Sequence, residues 1–178
     1  MEQAQVLTFL NNKDRDLLLQ FCGYSTTEPL HSFGPAVRPH YIIHFILNGK
    51  GIFQIREKTY HLETGQGFLI EPDELTFYQS DAQEPWEYLW IGFNGKMIPE
   101  FLKQIGLSSA HPIFHCDKKK ELYWLVNDML VHSKSNFSSD LRRTGLLYEF
   151  LSILALNPLE SDQQVDSEYM YINQAIEY

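Results

Sequence analysis

Trp86, Tyr88 and Trp90 stand at alternate positions of the run Trp86-Glu87-Tyr88-Leu89-Trp90-Ile91-Gly92-Phe93. Alternate residues of a strand face the same side. The three rings therefore form an aromatic stripe, and Leu89, Ile91 and Phe93 form an apolar stripe on the opposite face. Indoles and phenols add N–H and O–H groups that need partners when buried. Such a strand either separates two layers of core or lines a pocket for a small, partly polar ligand. Arg38, in Val37-Arg38-Pro39, is held extended by the proline that follows it. By alternation it shares a side with His40, Ile42 and His44. A guanidinium at the mouth of an apolar barrel offers five fixed donors to ligand oxygens; the alternative is a surface arginine in a loop. His44 reads as an interior imidazole that is either hydrogen-bonded or part of the pocket lining.

Other chemistries are poorly supplied. His40 and His44, with His61 nearby in sequence, raise the question of a metal in a β-barrel. A metal-binding barrel pattern needs a His-x-His pair, then a Glu, then a later His. Position 42 is Ile, and Thr76 and Phe77 follow Asp73-Glu74 where the later His is needed. The ligand count fails, and no metal is expected. Glu71, Asp73 and Glu74 lie in a Pro-containing turn and read as a solvated turn rather than an acid–base pair. Cys22 lacks a Cys-His constellation, and Ser25-Thr26-Thr27 lacks a nucleophile elbow. Gly49-x-Gly51 and Gly65-x-Gly67 lead into no helix, so they read as hairpin punctuation rather than phosphate loops. No catalytic residue is assigned.

The elements that must position these side chains follow from period and punctuation. Residues 15–94 read as short strands at spacings of about 8–12 residues, broken by Gly and Pro, the pattern of a sandwich or barrel. The strands are Leu17–Tyr24, Tyr41–Leu47, Ile52–Ile55, Thr59–Leu62, Phe68–Ile70, Leu75–Gln79 and Trp86–Phe93. Asn48-Gly49 predicts a tight hairpin that returns Ile52–Ile55 antiparallel. Gly65-Gln66-Gly67 predicts a break. After Gly95 the period becomes helical. Met97–Ile105 predicts a helix closed by Gly106. Lys118–His132 predicts a second, with Leu122, Leu125, Val126 and Met129 on one face. Ser138-Ser139-Asp140 offers caps for a third, ending near Leu156. Its face of Leu147, Phe150, Leu151 and Leu154 is widened by Leu146 and Ile153. It packs either wholly into its own domain or against both its sheet and a second subunit. Residues 158–168 read as a polar linker, and 169–178 as the start of a further helix.

At 178 residues, with 44% hydrophobic and 21% charged residues, the chain can bury a sizeable core. A formal charge of −9 argues against this segment gripping nucleic acid. Only Cys22 and Cys116 are present, far apart, which suits reduced thiols in a cytoplasmic protein. No continuous hydrophobic run reads as a secretory signal or a membrane span.

Taken together, several motifs resemble those of the amino-terminal effector-binding and dimerisation domain of AraC/XylS-family transcription regulators. They are Cys22-Gly23-Tyr24, the run from His31 to Arg38, the run from His40 to Gly51, Leu62-Glu63-Thr64-Gly65-Gln66-Gly67 and Trp86 to Phe93. Within the family the chain looks most like multiple-sugar-metabolism and raffinose-type regulators. The resemblance implies a mainly β fold, a cupin-like jelly-roll barrel over residues 1–157, followed by a helical dimerisation segment. It implies a sugar inside the barrel, an α-galactoside being favoured, and a homodimer through residues 138–156. DNA would be bound by a helix-turn-helix domain of which 169–178 is only the lead-in. By motif matching, Trp90 takes the stacking role and Tyr78 that of a hairpin tyrosine. Tyr88 replaces a histidine, and Arg38 takes the arginine role. Trp86 and His44 complete the expected lining. A metal-dependent cupin isomerase or oxygenase, and a regulator with a non-sugar effector, are the competing readings.

Overall fold

The computed structural model describes residues 3–8 and 15–156. Among these residues ten strands precede or interleave with three helices. The strands are β1 (Gln3–Thr8), β2 (Leu18–Thr26), β3 (Ser32–Val37), β4 (Tyr41–Asn48), β5 (Lys50–Ile55), β6 (Lys58–Glu63), β7 (Gln66–Ile70), β8 (Leu75–Ser80), β9 (Glu87–Asn94) and β10 (Ile113–His115). The helices are α1 (Ile98–Ile105), α2 (Lys119–Val131) and α3 (Phe137–Ala155). One sheet runs β1-β2-β9-β4-β7-β10 and the other β3-β8-β5-β6. All pairings within the two sheets are antiparallel. Strands β2 to β9 are thus dealt between the sheets as β2-β9-β4-β7 and β3-β8-β5-β6, the double Greek-key order of a jelly roll. The expected cupin-like β fold followed by helices is what the chain adopts.

Two local expectations need correction. Gly49 does adopt the left-handed turn that Asn-Gly favours, at φ 76°. The strand beyond it, however, does not return along β4. It pairs with β6 and β8 in the opposite sheet. Two backbone bonds, Lys50 N–H to Glu84 O at 2.9 Å and Asp81 N–H to Lys50 O at 2.9 Å, tie this crossing to the β8–β9 loop instead. The break predicted over 65–67 falls at Gly65, left-handed at φ 87°, whereas Gly67 lies inside β7. A Cβ there would fall 2.2 Å from the Phe114 ring, so the glycine makes room for β10. The expected turn at 71–74 forms, with Asp73 at φ 64°.

The larger sheet has a different core on each face. Leu89, Ile91 and Phe93 of β9 join Leu122, Val126, Met129, Leu147, Phe150 and Leu154 of the helices. Trp86 and Tyr88 join Phe53, Phe68, Ile42, Ile70 and Tyr78 between the sheets. α1 ends as expected on Gly106, left-handed at φ 83°. α3 is capped two residues before the first predicted cap, by Asn136, whose side chain accepts from Ser139 N–H at 2.9 Å, so Ser138, Ser139 and Asp140 lie inside the helix. Leu146 is buried and Ile153 packs on the helix-side core, so this chain itself covers the widened face of α3. Another apolar row of α3 is exposed: Phe137, Leu141, Tyr148 and, just past its end, Leu156. The linker 158–168 and the segment 169–178 lie outside the described residues.

Candidate functional site

β9 turns Tyr88, Trp90, Gly92 and Asn94 toward the space between the sheets, because its odd-numbered residues Leu89, Ile91 and Phe93 are claimed by the helix-side core. Trp86 lies just before the strand, its carbonyl accepting from Thr27 N–H (3.1 Å) and Thr27 Oγ1 (2.8 Å). Three aromatic rings lie against glycines of the neighbouring strands. Trp90 is paired with Gly23, and a Cβ on Gly23 would fall 2.5 Å from the indole. Phe21 is paired with Gly92, where a Cβ would fall 2.1 Å from the Phe21 ring. Trp86 covers Gly51 in the same way, at 2.4 Å. Each ring occupies the volume its partner lacks and is thereby laid along the wall of the barrel.

Burial grades the interior from a closed floor to an open rim. Trp86, Phe53 and Phe68 form the floor, Trp86 being only 1% exposed. His44, Tyr78 and Tyr88 form the next tier, also buried. Trp90, Phe21, Arg38 and His40 are half-buried, and Phe33 is 47% exposed. His44 stacks on Phe68 with centroids 4.6 Å apart and planes 9° apart. Tyr78, Tyr88 and Trp90 surround it at 4.9, 5.6 and 6.5 Å. Burial pushes its pKa well below the ordinary 6.5, and the positive charge of Arg38 pushes it further down. The imidazole is therefore neutral at physiological pH. His44 Nδ1 and Trp86 Nε1 are both buried without a hydrogen-bond partner among the described residues.

Arg38 sits one residue past β3, not on a strand. Its guanidinium lies 4.1 Å over the Phe33 ring and 5.7 Å from that of Tyr78. Nη1 donates to Thr76 Oγ1 at 3.3 Å. Burial lowers the Arg38 pKa from its ordinary value, while Tyr78 and Tyr88 act in the opposite direction. Among the described residues no carboxylate pairs with it, so most of its donors are left for a guest. All six expected lining residues thus meet in one interior: Arg38 and Trp90 at its rim, His44, Tyr78 and Tyr88 in the middle, Trp86 at the floor.

The three histidines do not converge. His44 is interior, His40 is at the rim bonded through Nδ1 to Asn94 Nδ2 at 2.8 Å, and His61 is exposed on β6. Among the described residues no group of three or more His, Cys, Asp and Glu is placed to hold a metal ion. Glu71 is spent on Ser109, accepting from its N–H at 2.9 Å and from its hydroxyl. Glu74 is held by Arg56 at 2.5 Å. The Cys22 thiol, buried in the helix-side core, is pushed up to about 12 by desolvation. The residues that sequence reasoning missed are Phe21, Gly23, Gly92, Phe33, Thr76 and Asn94. A signal for the first three was present: Phe21-Cys22-Gly23 and Trp90-Ile91-Gly92 repeat one aromatic-x-Gly pattern on strands that pair in antiparallel register.

Fold and interior together define a cupin-like barrel domain with helices packed behind its larger sheet. Residues 18–151 match the family described as AraC-like ligand binding domain, and the chain belongs to that family. Its relatives include the Msm operon regulatory protein of Streptococcus mutans serotype c, 36% identical over 167 residues, covering 89% of this chain and 58% of that protein. The lactose operon transcription activator of Staphylococcus xylosus is 29% identical over 141 residues, covering 78% of this chain and 50% of that protein. The raffinose operon transcriptional regulatory protein RafR of Pediococcus pentosaceus is 25% identical over 174 residues, covering 95% and 63%. The chain therefore spans 50–63% of the length of these three relatives. Among solved structures, a cupin 2 conserved barrel domain protein from Salinispora arenicola matches at 14% identity and a TM-score of 0.43, covering 58% of this chain and 84% of that one. No helix among the described residues is long and apolar enough to cross a membrane.

Proposed function

We propose that this chain is the sugar-sensing domain of an AraC-family transcription regulator of the cytoplasm, and not an enzyme. The observation that carries the reading is the placement of Trp90. Its indole is laid along the barrel wall by Gly23, half-buried, with Arg38, which no carboxylate among the described residues pairs, and two tyrosines beside it. A pyranose has an apolar C–H face and a rim of hydroxyls. The indole covers the first, and Arg38, Tyr78, Tyr88 and neutral His44 meet the second. Trp86 closes the floor, its N–H meeting no acceptor among the described residues. One named relative regulates a raffinose operon, and raffinose carries an α-galactosyl unit, which supports an α-galactoside as effector; the relative named for a lactose operon makes a β-galactoside the alternative. DNA would be bound by a domain beyond this chain, for which residues 169–178 are the lead-in.

The domain homodimerises through residues 138–156. Support comes from the row Phe137, Leu141, Tyr148 and Leu156, all exposed, with Gly145 between them facing open space. Isothermal calorimetry against mono- and oligosaccharides, α-galactosides first, tests the sensing role. Binding of one sugar, lost in Trp90→Ala, is the expected result. Binding of no sugar, or unchanged affinity in Trp90→Ala, overturns it.

A further inference from the structure

Trp90 is not the only ring laid against the wall. On the same two strands, two residues further toward the rim, Phe21 lies on Gly92 as Trp90 lies on Gly23. The two aromatic–glycine pairs run in opposite senses, Gly23 facing Trp90 and Phe21 facing Gly92. The rings are thereby offset along β9 by two residues, roughly 7 Å at about 3.4 Å per residue. That is close to the length of one pyranose unit. Beyond Phe21 comes a polar group. The His40 ring stands at 76° to Phe21 with centroids 5.7 Å apart. Asn94 Nδ2 lies 2.8 Å from His40 Nδ1. An amide nitrogen only donates, so Nδ1 accepts and the ring proton sits on Nε2. His40 is thus fixed as a donor at the open end. In the other direction the interior is shut by Trp86, Phe53 and Phe68.

We infer that the effector is at least two sugar rings long, the first on Trp90 and the second on Phe21, with His40 donating to a hydroxyl of the second. This rests on the sugar-sensing reading and goes beyond it by selecting a disaccharide or longer oligosaccharide over a monosaccharide. Phe21 is the residue that sets this length preference, and Asn94 is the positioning residue for His40.

The test is calorimetry on this chain with methyl α-galactoside, melibiose and raffinose, repeated with methyl β-galactoside and lactose. Wild type is expected to bind a two-ring sugar at least tenfold more tightly than its one-ring counterpart. Phe21→Leu is expected to abolish that ratio while leaving the one-ring affinity within twofold; Phe21→Tyr is expected to keep it. Equal affinity for one and two rings overturns the inference, as does an equal loss for both in Phe21→Leu. If Phe21→Leu does not fold, Asn94→Leu carries the test, with selective weakening of the two-ring sugar expected and an unchanged ratio contradicting it. Binding of no sugar by wild type removes the sensing reading itself, and this inference with it.

Discussion

Gly23 and Trp90 face each other across β2 and β9, and the indole fills the space in which a Cβ of residue 23 would stand. The backbone oxygen of Gln5 closes the same space from the other side, 2.2 Å from that Cβ position. Gly23→Ala must therefore displace the indole or strand β1. Overpacking of this kind costs about 1–3 kcal/mol. The expected outcome is a lowered melting temperature and at least a tenfold loss of sugar affinity. Retained affinity would show that the orientation of Trp90 does not matter.

His44 makes stability depend on acid. Its folded pKa is depressed, so the fold keeps the imidazole neutral while the unfolded chain takes up a proton below about pH 6.5. This contribution is fully present above pH 6.5 and is lost as pH falls below it. His44→Phe removes the proton uptake and the unpartnered Nδ1 together. Urea melts at pH 7.5 and pH 5 should show a smaller drop for the variant than for wild type. Equal drops would exclude His44 as the source.

Arg38→Lys keeps a cation but loses the guanidinium fork and its stacking on Phe33. A hydrogen bond to a charged group is worth roughly 1.5–3 kcal/mol, which converts to a tenfold to hundredfold loss of effector affinity. Calorimetry reads it directly. The fold should be little affected, because among the described residues Arg38 makes one long hydrogen bond, to Thr76.

Two adjacent arginines should behave oppositely. Arg143, 3% exposed, donates to His132 O, to Lys134 O and to Asp140, pinning the α2–α3 loop from beneath. Arg143→Leu removes all three bonds at once, from a buried guanidinium to acceptors that are themselves half-buried or exposed, and a hydrogen bond made by a charged group is worth roughly 1.5–3 kcal/mol. Arg142 reaches Asp128 from an exposed position, and Arg142→Ala should cost less than about 1 kcal/mol. Denaturant melts of both variants compare the two.

Leu141→Glu places a charge in the exposed row of α3 without touching the core, since Leu141 is 57% exposed. Sedimentation equilibrium should show the dimer weakened while the melting temperature of the dilute protein holds. A wild type that stays monomeric at high concentration would contradict the proposed interface.

Much of this arrangement was legible in the sequence, for identifiable reasons. β4 and β9 are buried on both faces, so their patterns survive as an almost unbroken apolar run and as two interleaved stripes. Three of the four edge strands were not legible, β6, read as Thr59–Leu62, being the exception. β3 carries Pro35 and is mostly exposed, β10 is three residues long, and β1 is completed by the register of β2 rather than by its own pattern. Asn48-Gly49 revealed the turn but not its destination, because that depends on Glu84 and Asp81, more than thirty residues away. Gly51 and Gly67 read as punctuation because a glycine that accommodates a ring looks the same in sequence as one that bends a chain. The His40–Asn94 pair spans 54 residues, and only strand register brings it together.

α2 rests against β2 and β9, and α3 against β2. Tyr88 and Trp90 alternate along β9 with Leu89 and Ile91, which are rooted among the helical side chains. A guest pressing on the indole therefore pushes the same few peptide units from which those two aliphatic anchors hang. Sender and receiver are opposite sides of one ribbon, so news of occupancy need cross only a single backbone's thickness to reach the rods behind it.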